Sequence, residues 1–251
     1  MSIERTEGIV LSSRTFKETD KIISILCPAN PRADFIVKGI SSSKKRPITA
    51  TEIGSWIMID YYKKETDFPS YIKNIQIIQR YENLKKDYLG LTALSYILEI
   101  ADVFSPHGEN SPDIWKLLKG SLEEWDKNGF HFTLIPFFKL RILQLGGILP
   151  KDGECSRCHR SYQEVLGINF HLQGLEVVCI ECLPSQFNQI HVLKIMEMMG
   201  KSKYSTIKNS VPFQKESLSI DQICNTIIKG FIGKRLRSED SFYQAYSEFS
   251  A

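Results

Sequence analysis

The chain has 251 residues, 42% hydrophobic and 24% charged, with a formal net charge of +3. That length supports one large or two small domains with real cores, and that composition excludes global disorder. The mild positive charge permits nucleic-acid binding without arguing for it, so any such reading rests on where the cations sit. The opening residues, Met1-Ser2-Ile3-Glu4-Arg5, lack the basic start and apolar stretch of a secretory signal. No run approaches the roughly 18 apolar residues that span a bilayer. A cytosolic, reducing setting is therefore expected, where clustered cysteines point to metal and not to disulfides.

In chain order, β structure comes first. Glu7 to Arg14 and Asp20 to Cys27 are β-branched runs. Pro28-Ala29-Asn30-Pro31 marks a turn, and Ala33 to Lys38 continues as a third strand. Trp56 to Tyr62 and Tyr71 to Gln79 supply two more, joined by a loop around Asp67-Phe68-Pro69-Ser70. Five short antiparallel strands suit a small closed barrel of OB type, with an SH3-like barrel fitting almost as well. From Leu84 the period changes to that of a helix, through Tyr88, Leu91, Leu94, Ile97, Leu98 and Ala101, stopping before Pro106-His107-Gly108. Ser111-Pro112-Asp113 opens a second helix, which Asn128-Gly129 ends. Thr133 to Leu145 is apolar on most sides and is expected to be a central helix. Gln189 to Met199, Ser219 to Leu236 and Asp240 to Phe249 read as three more. The fold class is α+β: a five-stranded barrel over residues 1–82, then a helical domain over 83–251 interrupted by a cysteine unit at 151–184.

That unit carries the strongest chemical signal. Cys155-x-x-Cys158 and Cys179-x-x-Cys182 are separated by the twenty residues His159 to Val178. Each Cys-x-x-Cys turn presents two thiolates on one side of a tight loop, and two turns complete the tetrahedron zinc prefers. Between them, Val165 to His171 and Leu175 to Val178 read as two strands turning at Gln173-Gly174, a zinc ribbon. Four thiolates close the coordination, which makes the zinc structural. Cys155 to His159 also fits the haem-attachment pattern, which needs export, and a thioredoxin-like pair needs a βαβ setting that is absent. An iron–sulfur cluster on the same four thiolates stays chemically open. His159 is expected beside the site or exposed, and Cys27 and Cys224 are expected as small buried core residues.

Cations concentrate in Lys38-Gly39-Ile40-Ser41-Ser42-Ser43-Lys44-Lys45-Arg46-Pro47, a serine-rich loop suited to phosphate contacts. Arg14, Lys17 and Lys21 flank the first hairpin; Lys63 and Lys64 follow the fourth strand. Phe16, Phe35, Tyr61, Tyr62 and Tyr71 could stack on bases, although half or more of them are expected in the barrel core.

Taken together, these pieces resemble the RecO family of bacterial recombination mediators over nearly the full length. The resemblance rests on Gly8-Ile9-Val10-Leu11 with Glu18-Thr19-Asp20-Lys21-Ile22-Ile23, and on Lys38-Gly39 before the basic loop. Most specific is Phe138-Lys139-Leu140-Arg141-Ile142-Leu143 with Gly146-Gly147-Ile148-Leu149-Pro150, running directly into the first cysteine pair. The segment Thr49 to Ser55 departs from the family pattern. The resemblance implies an OB fold, a helical domain with an inserted zinc knuckle, and a bacterial, nucleoid-associated protein of the cytoplasm. It further implies binding to single- and double-stranded DNA, strand annealing, and partnership with RecR and the single-strand-binding protein SSB in loading RecA. By matching position, Lys139 and Arg141 join Arg14, Lys21, Lys38, Lys44, Lys45 and Arg46 as candidate DNA contacts.

An enzyme is the rival class. Gly230-Phe-Ile-Gly-Lys has the wrong spacing for a phosphate-cradling loop. Asp60, Glu65 and Asp67 read as strand-end and loop residues and not as a two-metal site, and His107, His131, His171 and His191 show no paired spacing. A protein-binding adaptor, using the ribbon and helical surface without touching DNA, is the alternative to a DNA-binding module.

Overall fold

The computed structural model describes residues 2–29, 32–63, 69–106, 111–149, 153–162, 164–171, 176–184 and 190–250. The expected turns at Asn30-Pro31, Asp67-Phe68, His107-Gly108 and Gln173-Gly174 fall outside these residues. So do Lys64, Glu65 and Pro150.

Two compact units are formed, one by Met1–Phe130 with Arg237–Ala251 and the other by His131–Leu236. In the first, strands β1 (Ile3–Phe16), β2 (Asp20–Leu26), β3 (Ala33–Val37), β4 (Trp56–Tyr62) and β5 (Ser70–Gln79) close into a barrel of order β1-β2-β3-β5-β4. Closure depends on the length of β1. Its first half pairs with β4 (Ile3 opposite Tyr62 through Ile9 opposite Trp56), and its second half pairs with β2. The strand starts at Ile3, four residues before the apolar run at Glu7 suggests, because the polar residues Glu4, Arg5 and Thr6 pair with β4. A bulge between Val10 and Ser12 lets β1 turn from one partner to the other. Gly8 sits where a Cβ would meet the Leu26 carbonyl oxygen at 2.5 Å, so only glycine allows this approach. The antiparallel pairs, with β3 and β5 parallel, are the five-stranded OB arrangement. Val10, Ile23, Ile25, Phe35, Ile57, Ile59, Ile72 and Ile75 fill the interior, and Cys27 is buried with them.

A 3₁₀ turn (Glu82–Lys85) precedes α1 (Tyr88–Phe104), and α2 (Pro112–Asn128) follows. Helix α1 starts later than the apolar period suggests because Asp87 caps it, its carboxylate accepting from Gly90 N at 2.7 Å. Leu84 is buried in the preceding turn instead.

The second unit holds α3 (Leu134–Leu145), the ribbon strands β6 (Ile168–His171) and β7 (Glu176–Cys179), α4 (Ile190–Lys201), a short α5 (Tyr204–Ile207) and α6 (Val211–Ile232). Helix α3 is buried nearly all round, as its composition predicts, and packs against α4 and α6. Strand β6 begins three residues later than expected, at Ile168, and β7 is offset by one residue from the expected strand. Helix α6 begins at Val211 and not at Ser219, since Pro212 sets the first turn and Phe213, Ser217 and Ile220 keep the buried spacing. It stops at Gly233, whose φ of +70° only glycine adopts cheaply, and not at Leu236.

Helix α7 (Glu239–Ser250) belongs to the barrel's unit, where Phe242 stacks on Tyr96 of α1 at 5.1 Å. Glu99 of α1 accepts from the Arg237 and Ser238 amides, each at 2.9 Å, and so caps the N-terminus of α7. The expected boundary at residue 82 therefore does not coincide with the division into compact units. Helices α1, α2 and α7 cluster with the barrel.

Candidate metal centre and basic barrel end

The four cysteines meet. Cys155 N donates to the Arg160 carbonyl and His159 N to the Cys155 carbonyl, both at 2.9 Å, so the first knuckle folds back at once. His159 makes that turn with φ +59°, and its side chain is 73% exposed, as expected of a residue beside the site and not in it. In the second knuckle, Cys182 N and Leu183 N donate to the Cys179 carbonyl at 3.1 and 3.0 Å. A hydrogen bond from Ser156 N to the Val177 carbonyl at 2.9 Å ties the first knuckle to β7. All four Sγ atoms lie within 4.8 Å of one another, and Cys158 and Cys179 are 3.6 Å apart. That is far beyond a disulfide bond, and all four are free thiols. It is close to the edge, about 3.8 Å, of a tetrahedron with metal–sulfur bonds of about 2.3 Å. The cluster could hold a metal ion.

Burial pushes the Cys179 thiol up to about 12, whereas the Arg160 guanidinium draws Cys158 down to about 6. Four crowded thiols cannot all ionise against mutual repulsion without a cation among them. Two backbone amides, of Arg157 and Cys179, already point at Cys155 Sγ at 3.4 and 3.3 Å. Such donors stabilise a thiolate. Nothing in the cysteine spacing identifies Arg160 as a neighbour of the sulfurs; its position two residues after Cys158 is the only available cue.

The basic candidates of the barrel gather at one end. Antiparallel register places Thr15 opposite Lys21 and Lys21 opposite Val37, so Arg14, Lys21 and Lys38 lie on adjoining strand ends. The loop after β3 is fixed to this end: Gly39 N donates to Asp20 Oδ1 at 2.7 Å and Ser41 N to the Thr19 carbonyl at 3.0 Å. Ser43 Oγ accepts from the amides of Lys45 and Arg46, at 3.3 and 2.9 Å, shaping the tip. Lys44 and Lys45 are exposed; Arg46 is half-buried, its guanidinium donating to the Lys38 carbonyl. Lys38 Nζ lies 4.3 Å from the Tyr71 ring centroid, and Tyr71 stands opposite Tyr62 across β4 and β5. Phe35 is core and Tyr61 packs edge-on against it at 5.0 Å, leaving Phe16, Tyr62 and Tyr71 partly open. Lys63 is paired with Glu4 at 2.8 Å. Asp60 is held by Arg5 and Asn74.

One candidate must be corrected. Lys139 is fully buried, its Nζ 2.6 Å from Asp221 Oδ1 and 2.6 Å from Asn225 Oδ1. A side chain sealed between α3 and α6 cannot reach a phosphate. Arg141 is half-buried and donates to the Gly200 carbonyl in the last turn of α4, where a cation complements the helix terminus.

A closed OB barrel with cations at one end, followed in the chain by helices that flank a four-thiol ribbon in sequence, defines a class of barrel proteins with a cysteine-knuckle helical unit. Two family patterns match this chain: Recombination protein O N terminal over residues 1–81, and Recombination protein O C terminal over residues 85–240. The chain belongs to the recombination protein O family. It is 35% identical over 249 residues to a protein called DNA repair protein RecO from Leptospira biflexa serovar Patoc (strain Patoc 1 / Ames), covering 99% of this chain and all of the relative. A protein of that name from Streptococcus equi subsp. zooepidemicus is 25% identical, covering 95% and 93%. Among the described residues, no helix is long and apolar enough to cross a membrane.

Proposed function

We propose that this chain is a non-catalytic DNA-binding and strand-annealing protein of recombinational DNA repair, acting on single- and double-stranded DNA with RecR and SSB to promote RecA loading. Family membership supports the repair role. The observation that carries the DNA contact is the gathering of Arg14, Lys21, Lys38, Lys44, Lys45 and Arg46 on strand ends and a loop locked to one barrel end. Cations fixed there release counterions from a phosphate backbone and give affinity with little sequence preference. Annealing then comes from neutralising and juxtaposing two strands, with no covalent step. In this reading the four thiolates hold a structural zinc, and the zinc orders the ribbon.

A salt titration of oligonucleotide binding tests the reading. Neutralising Lys44, Lys45 and Arg46 together should weaken binding to both DNA forms and lower the single-strand salt slope by about 2. Unchanged affinity and slope in that variant would sink the barrel-end contact and favour an adaptor that binds only proteins. Turnover of labelled DNA with magnesium would overrule the non-catalytic role.

A further inference from the structure

The ribbon carries two exposed arginines close to the metal ligands, and they are engaged differently. The Arg157 side chain is paired with Glu176, its Nε and Nη2 donating to Oε1 at 3.1 and 2.7 Å. Arg160 turns inward. Its Nε points at Cys158 Sγ at 3.5 Å and its Nη2 at Cys179 Sγ at 3.8 Å. Those two sulfurs belong to different Cys-x-x-Cys turns and are the pair separated by 3.6 Å. One guanidinium therefore spans the two halves of the site along the edge where two thiolates lie close together. Glu181 Oε2 lies 3.8 Å from Arg160 Nη2.

A divalent ion on four thiolates leaves a net charge of −2. Groups that donate to the sulfurs lower the repulsion among them and weaken their tendency to pick up protons and depart. Backbone amides do this for Cys155, and Arg160 supplies a full positive charge to Cys158 and Cys179. From this geometry we propose that Arg160 is a positioning residue of the metal centre, a resident cation that joins the two cysteine turns and sets how firmly the ion is held. The inference rests on the reading of the four thiols as a zinc site.

The experiment compares zinc transfer from the full-length protein to a chromophoric chelator for the parent chain and for R160Q, R160K and R157Q. Replacement by cobalt, with its thiolate-to-metal absorption band, confirms in each variant that four sulfurs still bind. R160Q should lose zinc at least about tenfold faster, in line with the usual effect of removing a ligand's supporting partner. R160K, which keeps charge but loses the fork, should fall between R160Q and the parent. R157Q should stay within about twofold of the parent, since Arg157 braces the ribbon without its side chain touching sulfur. Equal release rates in R160Q and the parent, or equal acceleration in R157Q, would overturn the proposal while leaving the metal reading intact. A parent protein that binds neither zinc nor cobalt through thiolates would instead overturn the metal reading, and the proposal with it.

Discussion

Lys45, at the tip of the barrel loop, and Lys139, in the middle of α3, are the same side chain in opposite settings. Lys45 is exposed on a loop whose shape comes from Ser43 and from bonds back to the first hairpin. Lys139 has no solvent exposure and gives its charge to Asp221 and Asn225. The first is available to a partner and contributes little to the fold. The second is unavailable to any partner, and the helices around it depend on its being paired. Charge at a residue says nothing about binding until burial and partner are known.

The comparison can be broken most directly at the buried pair. Replacing Asp221 by Ala leaves the buried ammonium with the neutral Asn225 acceptor but no counter-charge, and a loss of about 3–5 kcal/mol is expected in denaturant unfolding. The double variant K139M/D221L, which removes both charges, should recover most of that loss. If D221A unfolds like the parent, the pair is not the constraint described here. A smaller loss, about 1.5–3 kcal/mol, is expected for Arg141→Ala, which removes a charge-assisted bond to the Gly200 carbonyl. At the barrel end, the triple neutralisation of Lys44, Lys45 and Arg46 should shift stability by no more than about 0.5 kcal/mol, so any fall in DNA affinity would not be a folding defect. The weakest effect concerns Asp60, which the Arg5 guanidinium and then Asn74 hold down to about 2. A carboxylate depressed in the folded state stabilises above its ordinary value of 3.8 and loses that contribution as pH falls through about 2. Acid unfolding of D60N should therefore be less steep between pH 4 and 2 than that of the parent.

Much of the fold was legible from local pattern. Trp56 to Tyr62 was read with its observed limits, because apolar alternation and the flanking polar loops act on that segment alone. Apolar residues on most sides of α3 mark it as central, and Phe138, Leu140, Ile142 and Leu143 are buried. Helix α6 was cut short because Gln214-Lys215-Glu216 looks like a polar loop, although Phe213 and Ser217 hold the buried face across it. Of the candidate site residues, the four cysteines needed only their spacing, since two tight turns already fix where each pair of thiolates points. The basic residues needed more. Lys139 and Arg141 sit in a sequence segment that suggests a cationic helix face, and only the packing of α3 on α6 shows that Lys139 is sealed against Asp221 while Arg141 stays half-buried.

Local sequence carries what short-range physics controls: the strand and helix periods, the proline and glycine punctuation, and two Cys-x-x-Cys turns separated by the interval a ribbon needs. Tertiary structure decided what depends on residues far apart in the chain. It brought α7 back to α1 through Glu99, laid Arg160 across sulfurs from both cysteine turns, and sealed Lys139 against Asp221. Those outcomes follow from burial and from which opposite charge lies within a few ångströms, and no local pattern encodes either.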